Sequence, residues 1–246
     1  MNSGGLAGKR ALVTGGSGGI GAAICRRLAA DGCHVYVHAH RGLAAAQALV
    51  QEIHAAGGSA EAVAFDVTER EAASAVLAAL VEHEPVQIIV NNAGIHDDAV
   101  FPGMRADQWQ RVIDVSVHGF FNVTQPLMMP MIRSRWGRII NVSSISAITG
   151  NRGQVNYSAA KGALNSATKA LAQEVASRGI TVNAVAPGII ETSMSESTFP
   201  AEEIARMVPM KRAGTPTEVA DLIGFLASEQ AAYISGQIIS INGAMI

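Results

Sequence analysis

Residues 11–21 read Ala-Leu-Val-Thr-Gly-Gly-Ser-Gly-Gly-Ile-Gly and join a short apolar strand pattern to a helix pattern that continues through Ile24 and Leu28. Glycines permit a tight turn, so that the free N–H groups and the dipole of the helix N-terminus can meet a pyrophosphate. Glycine-rich turns without a function also occur, but one at the first strand–helix junction predicts a dinucleotide site. Its predicted binding residues are Gly15, Ser17, Gly18, Gly19, Ile20 and Gly21.

Short apolar runs alternate with longer helical patterns along the whole chain. Seven runs are predicted as strands: Ala11–Thr14, Val35–Val37, Glu61–Phe65, Ile88–Val90, Ile139–Val142, Thr181–Val185 and Ile238–Ile241. Several are apolar on both alternating faces, as in a parallel sheet covered by helices on both sides. We therefore predict an α/β fold, a single Rossmann-type doubly wound domain with a seven-stranded parallel sheet.

No linker or repeat divides the chain, so one domain over residues 1–246 is expected. Its dinucleotide-binding part should cover about residues 8–150, and its catalytic and substrate part about residues 140–246. The irregular stretch Met194–Pro209 is either a lid or an ordinary surface connection with a short helix.

Composition narrows the classes of function. The 246 residues are 49% hydrophobic, and 18 basic against 20 acidic side chains leave a net charge of −2. No global field therefore selects nucleic acid or an anionic membrane. No run of about 18 apolar residues and no secretion signal is present, so a cytoplasmic protein is expected. Cys25 and Cys33 indicate buried thiols of a reducing compartment, and no metal site is predicted.

The end of the second predicted strand bears on which dinucleotide binds. An NAD site usually offers an acidic residue to the adenosine ribose, whereas this sequence has His38-Ala-His40-Arg41. Arg41 can pair with a 2′-phosphate and His40 can donate to it, which favours NADP(H) without excluding NAD(H). The alternative is that Arg41 is a solvated loop cation and that either histidine is merely exposed.

Four separated motifs together resemble the short-chain dehydrogenase/reductase family. They are the glycine turn at 14–21, Asn91-Asn-Ala-Gly94, the spacing Ser144-x12-Tyr157-x3-Lys161, and Pro187-Gly188. The resemblance spans nearly the whole chain and implies how the rest of a nicotinamide cofactor is held. It assigns Asp66 and Val67 to the adenine, Asn92, Ala93 and Gly94 to the adenosine ribose, and Pro187, Gly188, Ile190 and Thr192 to the nicotinamide.

The same resemblance makes Ser144, Tyr157 and Lys161 catalytic. Hydride transfer to a ketone needs an acid for the developing alkoxide, and an ordinary tyrosine is a poor one at neutral pH. Tyr157 and Lys161 lie four residues apart on a predicted helix, so the ammonium is expected to stabilise a phenolate. Ser144 can hold the substrate oxygen, and Lys161 is implied to reach the nicotinamide ribose. Seen alone, these residues would be read as a turn serine and a packed Tyr–Lys pair.

One position departs from the family pattern. Members commonly have an asparagine forty-one residues before the tyrosine, where it kinks a helix and holds a water of the proton relay. Here that residue is Ser116. A serine can still bond a water or a carbonyl, so activity with an altered relay is expected. His118 is two residues further along the helix and should face elsewhere.

Within the family, the chain is most similar to reductases of 3-oxoacyl thioesters carried by acyl carrier protein. The similar stretches are Trp136–Ile140, Gly153–Tyr157, Glu174–Asn183 and Ala232–Gly236. The resemblance implies that Arg135 and Arg178 flank the active-site mouth and dock the acidic carrier, unless they are solvated helix-end cations. Arg152, and with it Gln154, is assigned to the substrate or to the phosphate of its carrier arm. The family also implies a homotetramer.

Three hypotheses follow. The first is NADPH-dependent reduction of a 3-oxoacyl thioester on acyl carrier protein, in fatty-acid or polyketide-like biosynthesis. The second is an NAD(P)-dependent dehydrogenase of a free small alcohol or ketone. The third belongs to another class, a cofactor-binding partner subunit with little turnover, and it is motivated by Ser116.

Overall fold

The computed structural model describes residues 5–192 and 200–246. Its strands form one parallel sheet in the order β3-β2-β1-β4-β5-β6-β7. They are β1 Arg10–Val13, β2 His34–Ala39, β3 Ser59–Ala64, β4 Ile88–Asn91, β5 Gly137–Val142, β6 Ile180–Pro187 and β7 Ile238–Ile241. Each coincides with a predicted strand within a few residues, and the predicted doubly wound α/β fold is confirmed.

Helices connect consecutive strands. The α-helices described are α1 Gly19–Ala30, α2 Leu43–Ala55, α3 Arg70–Leu80, α4 Ala106–Ile113, α5 Gly119–Ser134, α6 Ser146–Thr149, α7 Val155–Val175, α8 Ala201–Met207 and α9 Pro216–Ala227. A π-helical turn, Asp114–His118, joins α4 to α5.

Apolar side chains cover both faces of the sheet. Along β1, Ala11 and Val13 belong to one buried cluster, and Leu12 between them belongs to another. The first cluster includes residues of α1, α2 and α9, and the second includes residues of α3, α5 and α7. Strands buried on two sides need apolar residues at every position, which explains the uninterrupted apolar runs.

The strand order places the site. From β1 the chain builds outward through β2 and β3, then returns to pair β4 on the other side of β1. Such a switch point leaves a crevice beyond the carboxyl ends of the two central strands, where open α/β sheets bind ligands. The glycine turn after β1 and the segment after β4 therefore meet at one edge of the sheet.

Candidate active site

The glycine turn is fastened to the segment after β4. Thr14 accepts the backbone N–H groups of Asn92 and Ala93 at its Oγ1 atom, both at 3.0 Å. The Asn92 amide donates back to the Thr14 carbonyl at 2.9 Å. Gly15 has a φ of +62°, and a Cβ on Gly21 would lie 2.1 Å from the Gly15 carbonyl oxygen. Only glycine allows the turn to close this tightly.

His38 holds the same turn from β2. Its Nδ1 atom accepts the Gly15 N–H at 3.1 Å, so the ring proton lies on Nε2 and is donated to the Phe65 carbonyl at 2.9 Å. The side chain is buried, and burial lowers its pKa to about 4. The reading of His38 as an exposed residue is therefore wrong. Its supporting role was not foreseen.

The residues present fit a dinucleotide. Gly18 precedes α1 in an extended conformation and offers no side chain to cap the helix. A Cβ on Gly18 would meet nothing within 4 Å, so the space before the helix is open. The first N–H groups of a helix have no partner inside it and attract anions. Thr192 also lies here, since a Cβ on Gly19 would be 3.4 Å from its Cγ2 atom.

The end of the crevice that is predicted to hold the adenosine contains both acidic and basic side chains. Asp66 accepts the backbone and hydroxyl of Thr68 at 2.9 and 2.8 Å, and its other oxygen lies 3.2 Å from Nε2 of His40. Burial alone would raise the pKa of Asp66, but the Thr68 bonds and the charges of His40 and Arg41 lower it below its ordinary value. Val67, the next residue, is buried.

The loop that carries Arg41 lies close to Ser17. Arg41 is exposed on the loop after β2. A Cβ on the next residue, Gly42, would lie 3.6 Å from the Ser17 hydroxyl. The cationic loop therefore packs on the glycine turn.

The nicotinamide segment follows β6. Pro187 is buried as its last residue, and the N–H of Gly188 donates to Ile241 at 2.9 Å. Ile190 forms a parallel bridge with Gly214. Pro187 and Gly188 thus lie at the same carboxyl edge as the glycine turn.

Tyr157 and Lys161 lie in the first two turns of α7, beside Ser144 at the end of β5. The side chain of Ser144 lies near enough to Tyr157 to lower its pKa, and Lys161 Nζ is 5.7 Å from the centre of the tyrosine ring. Lys161 Nζ donates to the Val142 carbonyl at 2.8 Å. A Cβ on Gly94 would lie 3.0 Å from that nitrogen, so the lysine faces the post-β4 segment. The structure brings together the three residues that the spacing selected.

Burial shifts the pKa values of both Lys161 and Tyr157. Burial lowers the pKa of Lys161 to about 8. The pKa of Tyr157 is raised, mainly by burial, although the nearby Ser144 side chain acts in the opposite direction. Burial is the largest influence on the Tyr157 pKa, and the Lys161 ammonium donates to the Val142 carbonyl. Stabilisation of a phenolate by Lys161 stays a prediction.

Ser116 lies at the centre of the π-helical turn and is buried. Among the described residues, its hydroxyl has no hydrogen-bond partner. It lines a cavity of about 10 Å³ together with Thr14, Asn91 and Leu164, so the space is on the scale of one water. The helix is distorted here even with serine in place of asparagine. His118 points away and contacts Asp114 at 2.8 Å, as expected.

Gln154 joins the loop before α7 to Ser146, close to Ser144. Its Oε1 atom accepts from Ser146 at 3.1 Å and from Asn151 at 2.9 Å, and its amide donates to Asp98 at 2.9 Å. The backbone of Ser146 donates to the Ser144 hydroxyl at 3.1 Å. Arg152 is exposed on the same loop.

Arg135 and Arg178 do not flank this site. Arg135 precedes β5 and Arg178 precedes β6, so both lie at the amino edge of the parallel sheet. Arg135 donates to the Ser177 carbonyl at 3.1 Å, which keeps the two arginines close together. The length of α7 separates Arg178 from Tyr157 by about 30 Å, at 1.5 Å per residue. Their predicted place at the mouth of the same chain is wrong, because sequence spacing does not register the direction of the intervening helix.

The predicted lid falls partly outside the described residues. Residues 194–199 of Met194–Pro209 are not described, and the rest contains α8. Within 5–192 and 200–246, no helix has the length and apolarity that crossing a membrane requires. The same residues contain no cluster of three or more potential metal ligands from His, Cys, Asp and Glu.

Comparison with known proteins, together with the fold, identifies the chain as an NAD(P)-dependent oxidoreductase. The model of the short chain dehydrogenase family matches residues 9–203, and the chain belongs to that family. It is 45% identical over 236 residues to 3-oxoacyl-[acyl-carrier-protein] reductase FabG of Aggregatibacter actinomycetemcomitans, covering 95% of this chain and 98% of the relative.

Other relatives carry different names. Nodulation protein G of Azospirillum brasilense is 43% identical over 240 residues, which are 96% of this chain and 98% of the relative. Among solved structures, a protein of Agrobacterium tumefaciens assigned as a gluconate dehydrogenase superposes with a TM-score of 0.94 at 34% identity. That superposition covers 98% of this chain and 97% of the other. The family is therefore established more firmly than the substrate.

Proposed function

We propose that the protein reduces 3-oxoacyl thioesters on acyl carrier protein to 3-hydroxyacyl thioesters, with NADPH as the reductant. The observation that carries the proposal is the meeting of Ser144, Tyr157 and Lys161 beside the glycine turn. Relatives named as 3-oxoacyl-[acyl-carrier-protein] reductases at 41–45% identity favour this substrate. Fatty-acid or polyketide-like synthesis is the kind of pathway that uses such a step.

In this proposal, residues of the chain donate a proton to the carbonyl oxygen of the substrate and hydrogen-bond to that oxygen. Reduced nicotinamide, when bound, supplies the hydride that adds to the carbonyl carbon. Tyr157 then gives its hydroxyl proton to the carbonyl oxygen, which becomes the alcohol, and the phenolate remains. Ser144 donates to that oxygen as negative charge develops. Lys161 stabilises the phenolate and returns a proton to it, and Ser116 is proposed to lie on this return path.

NADP(H) is preferred in this proposal because Arg41, His40 and the Ser17 hydroxyl lie at the end of the crevice predicted to hold the adenosine ribose. Arg41 and His40 would hold the 2′-phosphate, with Ser17 facing the same loop. Asp66 is already occupied by Thr68 and His40, so its repulsion of a phosphate is offset.

The substrate arm would reach the site through the loop that carries Arg152 and Gln154. Arg152 is exposed there and can meet the phosphate of a phosphopantetheine arm. We further propose a homotetramer, since α5 leaves Phe121 and Met129 46% and 54% exposed. A cytoplasmic location suits the two free, buried cysteines.

The test is the loss of nicotinamide absorbance with carrier-bound acetoacetyl thioester, compared with simple ketones and with oxidised sugar acids. We expect the carrier-bound substrate with NADPH to give the highest kcat/KM, and Tyr157→Phe to abolish the reaction while NADPH still binds. Preference for a free ketone would support the second candidate, which the likeness to a gluconate dehydrogenase favours. Binding of NADPH without turnover, even in Ser116→Asn, would support a partner subunit.

A further inference from the structure

The side chain of His38 joins two segments of the predicted cofactor site. Its Nδ1 atom accepts the Gly15 N–H at 3.1 Å, and its Nε2 atom donates to the Phe65 carbonyl at 2.9 Å. Gly15 begins the glycine turn, and Phe65 directly precedes Asp66 on the segment after β3. One imidazole therefore links the turn assigned to the pyrophosphate with the segment assigned to the adenine.

Packing makes this link rigid. The His38 side chain is buried, and the centre of its ring lies 4.1 Å from that of Phe65. The His38 backbone carbonyl also accepts the Gly16 N–H at 2.8 Å, so one residue holds two consecutive residues of the turn. Because the ring is packed and bonded at both nitrogens, it fixes the distance between Gly15 and Phe65.

The conformation of Gly15 depends on side chains from two other strands. The Gly15 carbonyl accepts the amide of Asn92, after β4, at 3.1 Å, and its N–H is bound by His38 of β2. Its φ is +62°, and glycine has more backbone freedom than other residues. Loss of the imidazole would therefore leave the Gly15 N–H without this acceptor and open other conformations to the turn.

This rigidity matters to a dinucleotide, because its adenine and its pyrophosphate are attached to the same ribose. The two parts of the site that receive them must therefore lie at a matching distance. When a protein already holds the parts at that distance, binding orders fewer groups and is stronger. On the adenine side, Asp66 is itself held by the backbone and the hydroxyl of Thr68 at 2.9 and 2.8 Å.

We propose that His38 is a positioning residue for the dinucleotide, which sets the distance between the glycine turn and the segment that begins at Asp66. It thereby couples binding of the pyrophosphate to binding of the adenosine. The proposal rests on the cofactor part of the proposed function and not on the ketone substrate. It predicts that loss of His38 weakens an intact cofactor much more than a fragment that occupies only the adenosine end.

Three variants separate the two bonds of the imidazole. His38→Leu removes both. The side-chain oxygen of His38→Asn lies near the position of Nδ1 and keeps the bond to Gly15. The amide nitrogen of His38→Gln lies near the position of Nε2 and keeps the bond to Phe65.

His34→Leu is the matched control. It removes another histidine of β2, whose ring bonds the Ser59 hydroxyl at 2.7 Å. His34 lies four residues before His38, about 13 Å along the strand and away from the glycine turn. Its loss should lower the free energy of unfolding without changing the affinity for any nucleotide.

Fluorescence titration gives Kd for NADPH and NADH, and calorimetry gives Kd for adenosine 2′-monophosphate, or for adenosine 5′-monophosphate if NADH binds more tightly. We expect His38→Leu to raise Kd for the tighter cofactor by about 10-fold or more, and Kd for the fragment by less than about 2-fold. His38→Asn and His38→Gln should each weaken the intact cofactor by about 3-fold and spare the fragment, since the link needs both bonds.

Equal weakening of cofactor and fragment would mean that His38 only supports the fold, and it would overturn the proposal. So would unchanged cofactor affinity in a folded His38→Leu. If His38→Leu does not fold, His38→Asn and His38→Gln supply the same comparison, because each retains one bond. A selective loss in a protein that reduces no ketone supports the role of His38 and rejects the proposed reduction. A wild type that binds neither cofactor rejects both.

Discussion

The imidazole of His38 lies between Gly15 and Phe65, accepting the N–H of the first at 3.1 Å and donating to the carbonyl of the second at 2.9 Å. It therefore ties the glycine turn to the end of β3. Both bonds require the neutral ring with its proton on Nε2, because a protonated imidazole has no acceptor for Gly15. The turn is thus held by a group that titrates.

Acid should weaken the fold through His38. Its pKa is about 4 in the folded chain against an ordinary 6.5, so the unfolded chain binds the proton more readily. The stabilisation is complete above pH 6.5, is lost as the pH falls toward about 4, and amounts to at most about 3 kcal/mol. Urea unfolding across this range should show a smaller loss in His38→Asn than in the wild type. Replacing the exposed His83 with glutamine serves as the control, and an equal loss in all three proteins would contradict the assignment.

Lys161 should lower the free energy of unfolding even though it is required for activity. Burial lowers its pKa to about 8, so at neutral pH the folded chain carries an ammonium that would be more stable in water. Lys161→Met removes that cost and the bond to Val142, and we expect a gain of about 1–3 kcal/mol together with loss of activity. Chemical unfolding measures the gain. Lys169→Met, which changes an exposed lysine on the same helix, should alter neither property, and a destabilised Lys161→Met would refute the cost.

The fold was predictable because its signals are local. A strand buried on both faces needs apolar residues at consecutive positions, and the glycine turn marks the switch point by its place after β1. The spacing of Tyr157 and Lys161 on one helix likewise identifies neighbours without any tertiary knowledge.

What the sequence left open depends on contacts between distant segments. His38 is one polar residue in an apolar strand, and nothing local says that its ring meets Gly15. The Asp98–Gln154 contact joins residues 56 positions apart, so no spacing predicts it. The raised pKa of Tyr157 reflects a balance between burial and charge that motifs do not contain. The predicted position of Arg178 was wrong, because the sequence shows which residue follows a helix but not which edge of the sheet that helix reaches.

Ser116 should contribute nothing to stability through its hydroxyl. The oxygen is buried and has no hydrogen-bond partner in residues 5–192 and 200–246, so its removal leaves no other group there unsatisfied. We expect Ser116→Ala to change the free energy of unfolding by less than about 0.5 kcal/mol, or to raise it. Ser143→Ala is the matched control, because that buried hydroxyl donates to the Lys161 carbonyl at 3.3 Å and its loss should cost about 1 kcal/mol. A loss in Ser116→Ala as large as in the control would mean that the serine has a bonding partner, such as a water in its cavity.

Arg41 should discriminate between the two nicotinamide cofactors. Its loop packs on the glycine turn beside Ser17, at the place where a 2′-phosphate would lie. A charge-assisted bond to phosphate contributes about 1.5–3 kcal/mol, so Arg41→Ala should weaken NADPH binding by about 10- to 100-fold and leave NADH binding unchanged. Fluorescence titration of both cofactors checks this without a substrate. Arg26→Ala, which removes an exposed arginine paired with Glu52, should affect neither cofactor. Equal weakening of NADPH and NADH would assign Arg41 to the shape of the loop, and no weakening of either would remove it from the site.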